Sequence, residues 1–158
     1  ETFYLQGRAL RLKVIRASKE QLYSDGVHLF LEVKDPQDFS KKERMVMRFF
    51  DRQCKEVFGE IVEELYPVFQ KYGVAVPSLR IRSMDTRWGS CLPGKGVITL
   101  NKRLLEAPRN CIEYVVMHEL CHFIHPNHSK HFYAFLSMLM PDWKERKKVL
   151  DANDTYYL

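Results

Sequence analysis

Five of the six histidines lie between positions 118 and 131, and two of them bracket the string His118-Glu119-Leu120-Cys121-His122. No other feature restricts the fold as strongly. Residues four apart stand one above the other on the same face of an α-helix. A helix here brings both imidazoles to one point and leans Glu119 toward the same cleft. The flanking Ile112, Val115, Val116 and Leu120 can anchor the opposite face in a core. The string therefore asks for an amphipathic helix whose polar face looks into a cleft.

Two histidines at i and i+4 with an intervening glutamate can hold zinc, with the glutamate as general base. A catalytic zinc takes three protein ligands and keeps one open position. His125, His128 and His131 are the further histidines available. Pro126-Asn127 ends the helix, so His128 arrives from outside it and is the expected third ligand, with one zinc per chain. At about 100° per residue, His125 lies 60° off the direction of His122. His131, one turn beyond His128, is expected to face substrate or to support the site. A zinc-activated water would attack a carbonyl carbon while Glu119 takes its proton and passes it to the leaving nitrogen. Arg87, His131 and Tyr133 are candidate donors to the developing oxyanion. Arg87 has a competing structural role, stacked on Trp88 or paired with a carboxylate.

Elsewhere the pattern alternates between strand and helix periods. Leu10 to Arg16 reads as a strand, and Ser24-Asp25-Gly26 as a turn that makes Val27 to Val33 its hairpin partner. Phe50, Cys54, Val57, Phe58, Ile61, Leu65 and Phe69 recur at helical spacing, which predicts one long amphipathic helix over about Lys41 to Tyr72. Ser78 to Ser83 and Val97 to Leu100 read as strands, with Pro93 to Gly96 as a turn. Helices follow at about Cys111 to Phe123, Ser129 to Met140, and Pro141 to about Asp151, with Asn127 available to cap the second of these. No strand–helix–strand repeat is present, so the expected class is α+β, a small antiparallel or mixed sheet packed on the long helix and the metal-binding helix.

The chain has 158 residues, enough for one domain with one sizeable core. Glu1-Thr2-Phe3-Tyr4-Leu5-Gln6-Gly7 has the form of a viral-protease cleavage site, so residues 1–7 are set aside as an expression-tag remnant and 8–158 taken as the domain. Lys and Arg outnumber Asp and Glu by 25 to 20, an excess that permits an anionic partner without requiring one. The four cysteines, Cys54, Cys91, Cys111 and Cys121, form no Cys-x-x-Cys pair and read as free thiols of a reducing compartment. With no apolar run long enough to span a membrane and no leader, a cytoplasmic location with no membrane partner is expected.

Longer motifs carry a resemblance. Arg87-Trp88-Gly89-Ser90-Cys91, Ile98-Thr99-Leu100-Asn101 with Leu104 and Pro108, Tyr114 to His122, and Asn127-His128-Ser129-x-x-Phe132 occur in an order and spacing that resemble the YgjP-like family of predicted zinc metallopeptidases, zincins related to the SprT-like and WLM proteases. The resemblance implies a zincin-like fold, His118, His122 and His128 as zinc ligands, and Glu119 as catalytic acid/base. Family members often have Trp where this chain has Tyr133, and usually a longer N-terminal β region.

The reading is a zinc-dependent metallopeptidase acting on a peptide or protein in extended form. The strand Val97 to Asn101 is the expected receiving edge, since an open edge pairs with a substrate backbone. Trp88, Ile98 and Leu100 are then candidate substrate contacts. A small-amide hydrolase would use the same ligands with a closed pocket. A nucleic-acid-associated module would use the basic clusters Arg8, Arg11, Lys13, Arg16 and Lys19, and Lys144, Arg146, Lys147 and Lys148. It ranks below a peptide partner because alternation assigns Arg11 and Lys13 to the ordinary solvated face of a sheet.

Overall fold

The computed structural model describes residues 1–152. The last six residues of the domain expected over 8–158 lie outside the described residues. The chain is α+β, with two small sheets joined by a long helix.

The first sheet holds β1 (Thr2–Leu5), β2 (Arg8–Arg16), β3 (Gln21–Ser24) and β4 (His28–Val33) in the order β1-β2-β4-β3. Residues 1–7, set aside above, are part of this sheet. Thr2 pairs with Arg11 and Leu5 with Arg8, and the Gln6 and Gly7 amides donate to the Leu105 and Glu106 carbonyls at 2.8 Å. Leaving them out of the fold is corrected on that ground. The hairpin reading is corrected too. β2 and β4 run parallel, with Arg11 opposite His28 and Arg16 opposite Val33. The true hairpin partner of β4 is β3. The turn between them forms as expected: the Asp25 carboxylate accepts from the Val27 and His28 amides, and Gly26 takes φ +92°. Alternation turns Leu29, Leu31 and Val33 inward, all buried.

Helix α1 (Phe39–Leu65) is capped by Asp38, whose side chain accepts from the Lys41 amide at 3.1 Å. It buries Cys54, Val57, Phe58 and Ile61. It stops short of the expected Tyr72 because Pro67 has no amide hydrogen to extend the ladder. A short helix α2 (Pro67–Gln70) follows.

The second sheet holds β5 (Ser78–Arg82), β6 (Gly89–Leu92) and β7 (Val97–Asn101) in the order β5-β7-β6. β7 is thus central, parallel to β5 and antiparallel to β6. Then come α3 (Arg109–Cys121), α4 (Lys130–Leu139) and α5 (Trp143–Ala152). α4 is capped by Ser129, which accepts from the Phe132 amide at 3.3 Å, and not by Asn127. The main core lies between α1, the second sheet and α3: Phe58, Ile61, Ile98, Leu100, Ile112, Val116 and Leu120 are all fully buried there. This packing holds one face of α3 and leaves the other toward a cleft. The four cysteines are free, three of them buried.

Candidate metal centre

α3 carries His118 and Glu119 in its last turn and ends on His122. The chain then tightens: the Ile124 and His125 amides both donate to the Cys121 carbonyl. This places the His125 carbonyl 3.1 Å from His122 Nδ1. Donation from that nitrogen leaves His122 Nε2 free as a base, the tautomer that a metal ligand needs. His125 therefore acts through its backbone. No sequence pattern signals that role.

His128, from the segment between α3 and α4, swings back over the helix. Its Nε2 lies 3.0 Å from His118 Nε2. Ligand atoms of His118, His122 and His128 all lie within 4.8 Å of one another. Tetrahedral zinc with Zn–N near 2.05 Å would separate its nitrogens by about 3.3 Å, so the three imidazoles fit a small cation with minor adjustment. Burial pushes the His118 imidazole down to about 3, helped by His122, His128 and then Lys147. Burial also lowers His122. Both shifts favour the neutral imidazole, the form that ligation requires.

Phe132 is the floor of the site. It is fully buried, stacks on His122 at 4.6 Å between centroids, and meets His118 and His128 edge-on at 4.9 and 5.1 Å. Sequence reading placed Phe132 in a motif without assigning it this role.

Glu119 is 6% exposed and lines the same cleft as the three histidines. Burial pushes its carboxyl up to about 7, opposed by the charge of Arg87. Gly89 backs it closely. A Cβ there would lie 3.1 Å from the Thr99 carbonyl and 3.2 Å from Glu119 Cγ and Oε2. The cleft encloses about 480 Å³ and is walled on one side by Arg87, Trp88, Gly89, Ser90 and Cys91. The Cys91 thiol is pushed up to about 12 by burial and by Glu119, which makes it a poor nucleophile.

Arg87 is exposed at the cleft and does not stack on Trp88; the guanidinium over Trp88, 5.1 Å from the ring, is that of Arg103. Asn101, 1% exposed, was missed as a positioning residue. Its side-chain amide donates to the Met84 and Arg87 carbonyls at 2.9 and 2.8 Å, and its amide nitrogen to the Trp88 carbonyl. These bonds tie the loop bearing Arg87 and Trp88 to the end of β7.

Three expected contacts are corrected. Ile98 and Leu100 are fully buried, because β7 is paired on both sides and offers no edge. Among the described residues the open edge beside the cleft is that of β6. His131 lies outside the cleft lining; it is exposed and ring-stacked with His125 at 6.4 Å. Tyr133 stands beside the site, 6.1 Å from the His128 ring and 5.5 Å from Trp143.

The model of the YgjP-like metallopeptidase domain matches residues 1–153. This chain belongs to the YgjP-like family. The match takes in the N-terminal strands as well as the histidine cluster. Among solved structures, the zymogen of Pyrococcus abyssi abylysin superposes with TM-score 0.53 at 20% identity, covering 63% of this chain and 93% of that one. The zymogen of Methanocaldococcus jannaschii jannalysin gives 0.51 at 22%, covering 60% and 95%. A Wss1 mutant from Saccharomyces cerevisiae gives 0.51 at 15%, covering 90% and 96%. These likenesses establish a zincin-like metallopeptidase fold. A comparison with curated proteins finds no match. The family member described here is a metallopeptidase-like enzyme with a candidate three-histidine metal site. Among its described residues no helix is long and apolar enough to cross a membrane.

Proposed function

We propose that the protein is a zinc-dependent peptidase that hydrolyses extended peptides, with His118, His122 and His128 holding one zinc ion and Glu119 as general base. The observation that carries this reading is the convergence of three imidazoles and one buried carboxyl in a cleft bordered by a strand edge that is unpaired among the described residues. Bound zinc supplies Lewis acidity toward water and a carbonyl oxygen. The chain's own groups do the rest. Glu119, with a carboxyl poised near 7 by burial, takes a proton from water and returns it to the departing amine. Gly89 and the packed face of α3 hold that carboxylate in place. Phe132 fixes the three rings and excludes water beneath them. Arg87 in the cleft lining and Tyr133 beside His128 are the groups available to donate to a developing oxyanion.

β6 replaces β7 as the receiving edge. Its inner side pairs with β7, and its outer side is free to bind an extended backbone. An open edge favours a peptide over a small amide. The nucleic-acid reading has no comparable support: Arg146 of the second basic cluster is engaged by Asp142 and Glu113, and Arg11 and Lys13 lie on the solvated face of the first sheet.

The test is a peptide-library digest by the zinc-loaded chain and by Glu119→Gln. The parent should cleave, and the variant should keep fold and zinc but lose about 10²–10⁴-fold in rate. Equal cleavage by the two would refute the role of Glu119. A zinc-loaded parent that cleaves no peptide would refute the peptidase reading.

A further inference from the structure

A second cavity, of about 710 Å³, adjoins the metal cleft. Tyr114 and His118 line both, so a substrate held over the histidines lies within reach of it. One wall is aromatic. The Trp143 ring lies between Tyr114, at 6.2 Å and 12°, and Tyr133, at 5.5 Å and 23°, and Tyr133 in turn stacks on His128. The indole is fixed by a 2.9 Å bond from Nε1 to Ser137 Oγ.

The other wall is cationic and comes from α5. Lys144 and Lys148 are one turn apart and share a face with Lys147. Arg146 points elsewhere, bound to Glu113, Asp142 and the Asn110 carbonyl. Lys147 is paired with Asp151 at 2.7 Å. Lys144 and Lys148 have no carboxylate partner among the described residues, and the Lys144 ammonium lies 5.7 Å from the Trp143 ring centre. Among the described residues, three cations against one carboxylate, above an aromatic wall, suit a ligand with an apolar stem and an anionic tip.

We propose that this cavity is a substrate subsite for a carboxylate carried on an apolar stem, either a glutamate side chain near the scissile bond or the terminal carboxylate of an apolar residue. The inference rests on the peptidase reading and adds its specificity. The aromatic rings of Tyr114, Tyr133 and Trp143 take the stem; Lys144 and Lys148 take the charge. Lys147, already neutralised in part by Asp151, adds long-range attraction. A lysine side chain of similar length would fit the wall and meet like charge.

The experiment compares peptides that differ only in Glu, Gln or Lys at each position around the cleaved bond, with free or amidated C-termini. They are digested by the zinc-loaded full chain and by the Lys144→Glu/Lys148→Glu double variant. Both lysines are exposed, and the ratio of Glu to Lys cleavage within each protein is insensitive to how much of it is folded. The parent should favour the anionic peptide about five- to tenfold, the scale of two partly solvated ion pairs, and the variant should reverse that order. A preference for free over amidated C-termini assigns the terminal carboxylate, and a preference for Glu over Gln and Lys that survives amidation assigns the side chain. Binding of the same peptides, fluorescein-labelled, to zinc-loaded Glu119→Gln gives a readout free of turnover. Equal affinities for Glu and Lys peptides together with equal affinities for free and amidated C-termini, or a preference unchanged in the double variant, would overturn the subsite. Glu-selective, salt-sensitive binding without cleavage by the parent would overturn the peptidase reading and keep the subsite.

Discussion

The two sheets are built for different work. The first rests on a small core, with Leu10, Leu29 and Phe49 buried and Phe3, Leu12 and Leu22 partly so. Its exposed side carries ordinary polar pairs such as Tyr23 Oη to Glu32 at 2.8 Å. The second sheet is sealed against α1 and α3 by the main core. Buried polar groups sit there, Asn101 and Glu119, and each is backed by close neighbours. Burial is costly for such groups unless they are paired or useful. The difference separates scaffold from the candidate metal site: the second sheet shares its core with α3, and the first has a core of its own.

The largest expected effect tests that separation. Phe132→Ala removes the ring beneath three imidazoles and should cost about 3–5 kcal/mol of metal-free stability, with zinc affinity falling about 10- to 100-fold. Leu10→Ala in the first sheet should cost a comparable ~2–5 kcal/mol and leave zinc affinity of the folded protein unchanged. Denaturant unfolding in chelator and zinc competition measure both. A Leu10 variant that loses zinc while folded would break the comparison.

A smaller effect is expected at Gly89. The methyl of Gly89→Ala presses on the Thr99 carbonyl and the Glu119 carboxylate, so the proton acceptor moves by a few tenths of an ångström. Turnover should fall about 10- to 100-fold with zinc content intact. Parent-like turnover would show that Glu119 is not held from this side.

The smallest concerns the contact between the two halves. Glu106 lies where Gly7 bonds to it, with Oε2 buried and unpartnered. Burial pushes its carboxyl up to about 7, opposed by Arg103. A raised folded pKa means a stability contribution that is fully present below the unfolded value near 4.3 and is lost as pH rises through about 7. Glu106→Gln should therefore raise the melting temperature at pH 8 by about 1–3 °C after allowance for solvent screening, and should not raise it at pH 4. The opposite order would show that Glu106 is charged and paired.

What the sequence disclosed follows the same division. α3 and the closeness of His118 and His122 on it were legible because the i, i+4 spacing and a 3.6-residue period are both local. The return of His128 to the same cluster was legible because a proline break and a cluster of histidines leave few routes back to the helix. Strand neighbours were not. The Asp25-Gly26 turn was read correctly but given to β2, because alternation marks a strand without naming its partner. β7 was read as an edge for the same reason: β6 joins it through the turn at 93–96, and β5 pairs on its other side. Trp88 and Arg87 looked like a stack because they are adjacent, whereas Arg103 reaches the indole through the fold. Pro67 is visible in the sequence, and there the helical period was carried past its chemical stop. His131 was assigned to the site by sequence proximity, but one turn along α4 carries it to the far side with His125.

The central claim is that His128 completes the metal site with His118 and His122. It is tested most directly by the zinc content of the purified chain, expressed without added metal, beside His125→Ala, His128→Ala and His131→Ala. The parent should hold close to one zinc per chain. His128→Ala should lose nearly all of it in a chelator at a concentration that leaves the other two loaded, since those should weaken by no more than about 10- to 100-fold. A folded His128→Ala protein that keeps its zinc while His125→Ala or His131→Ala releases it would contradict the assignment.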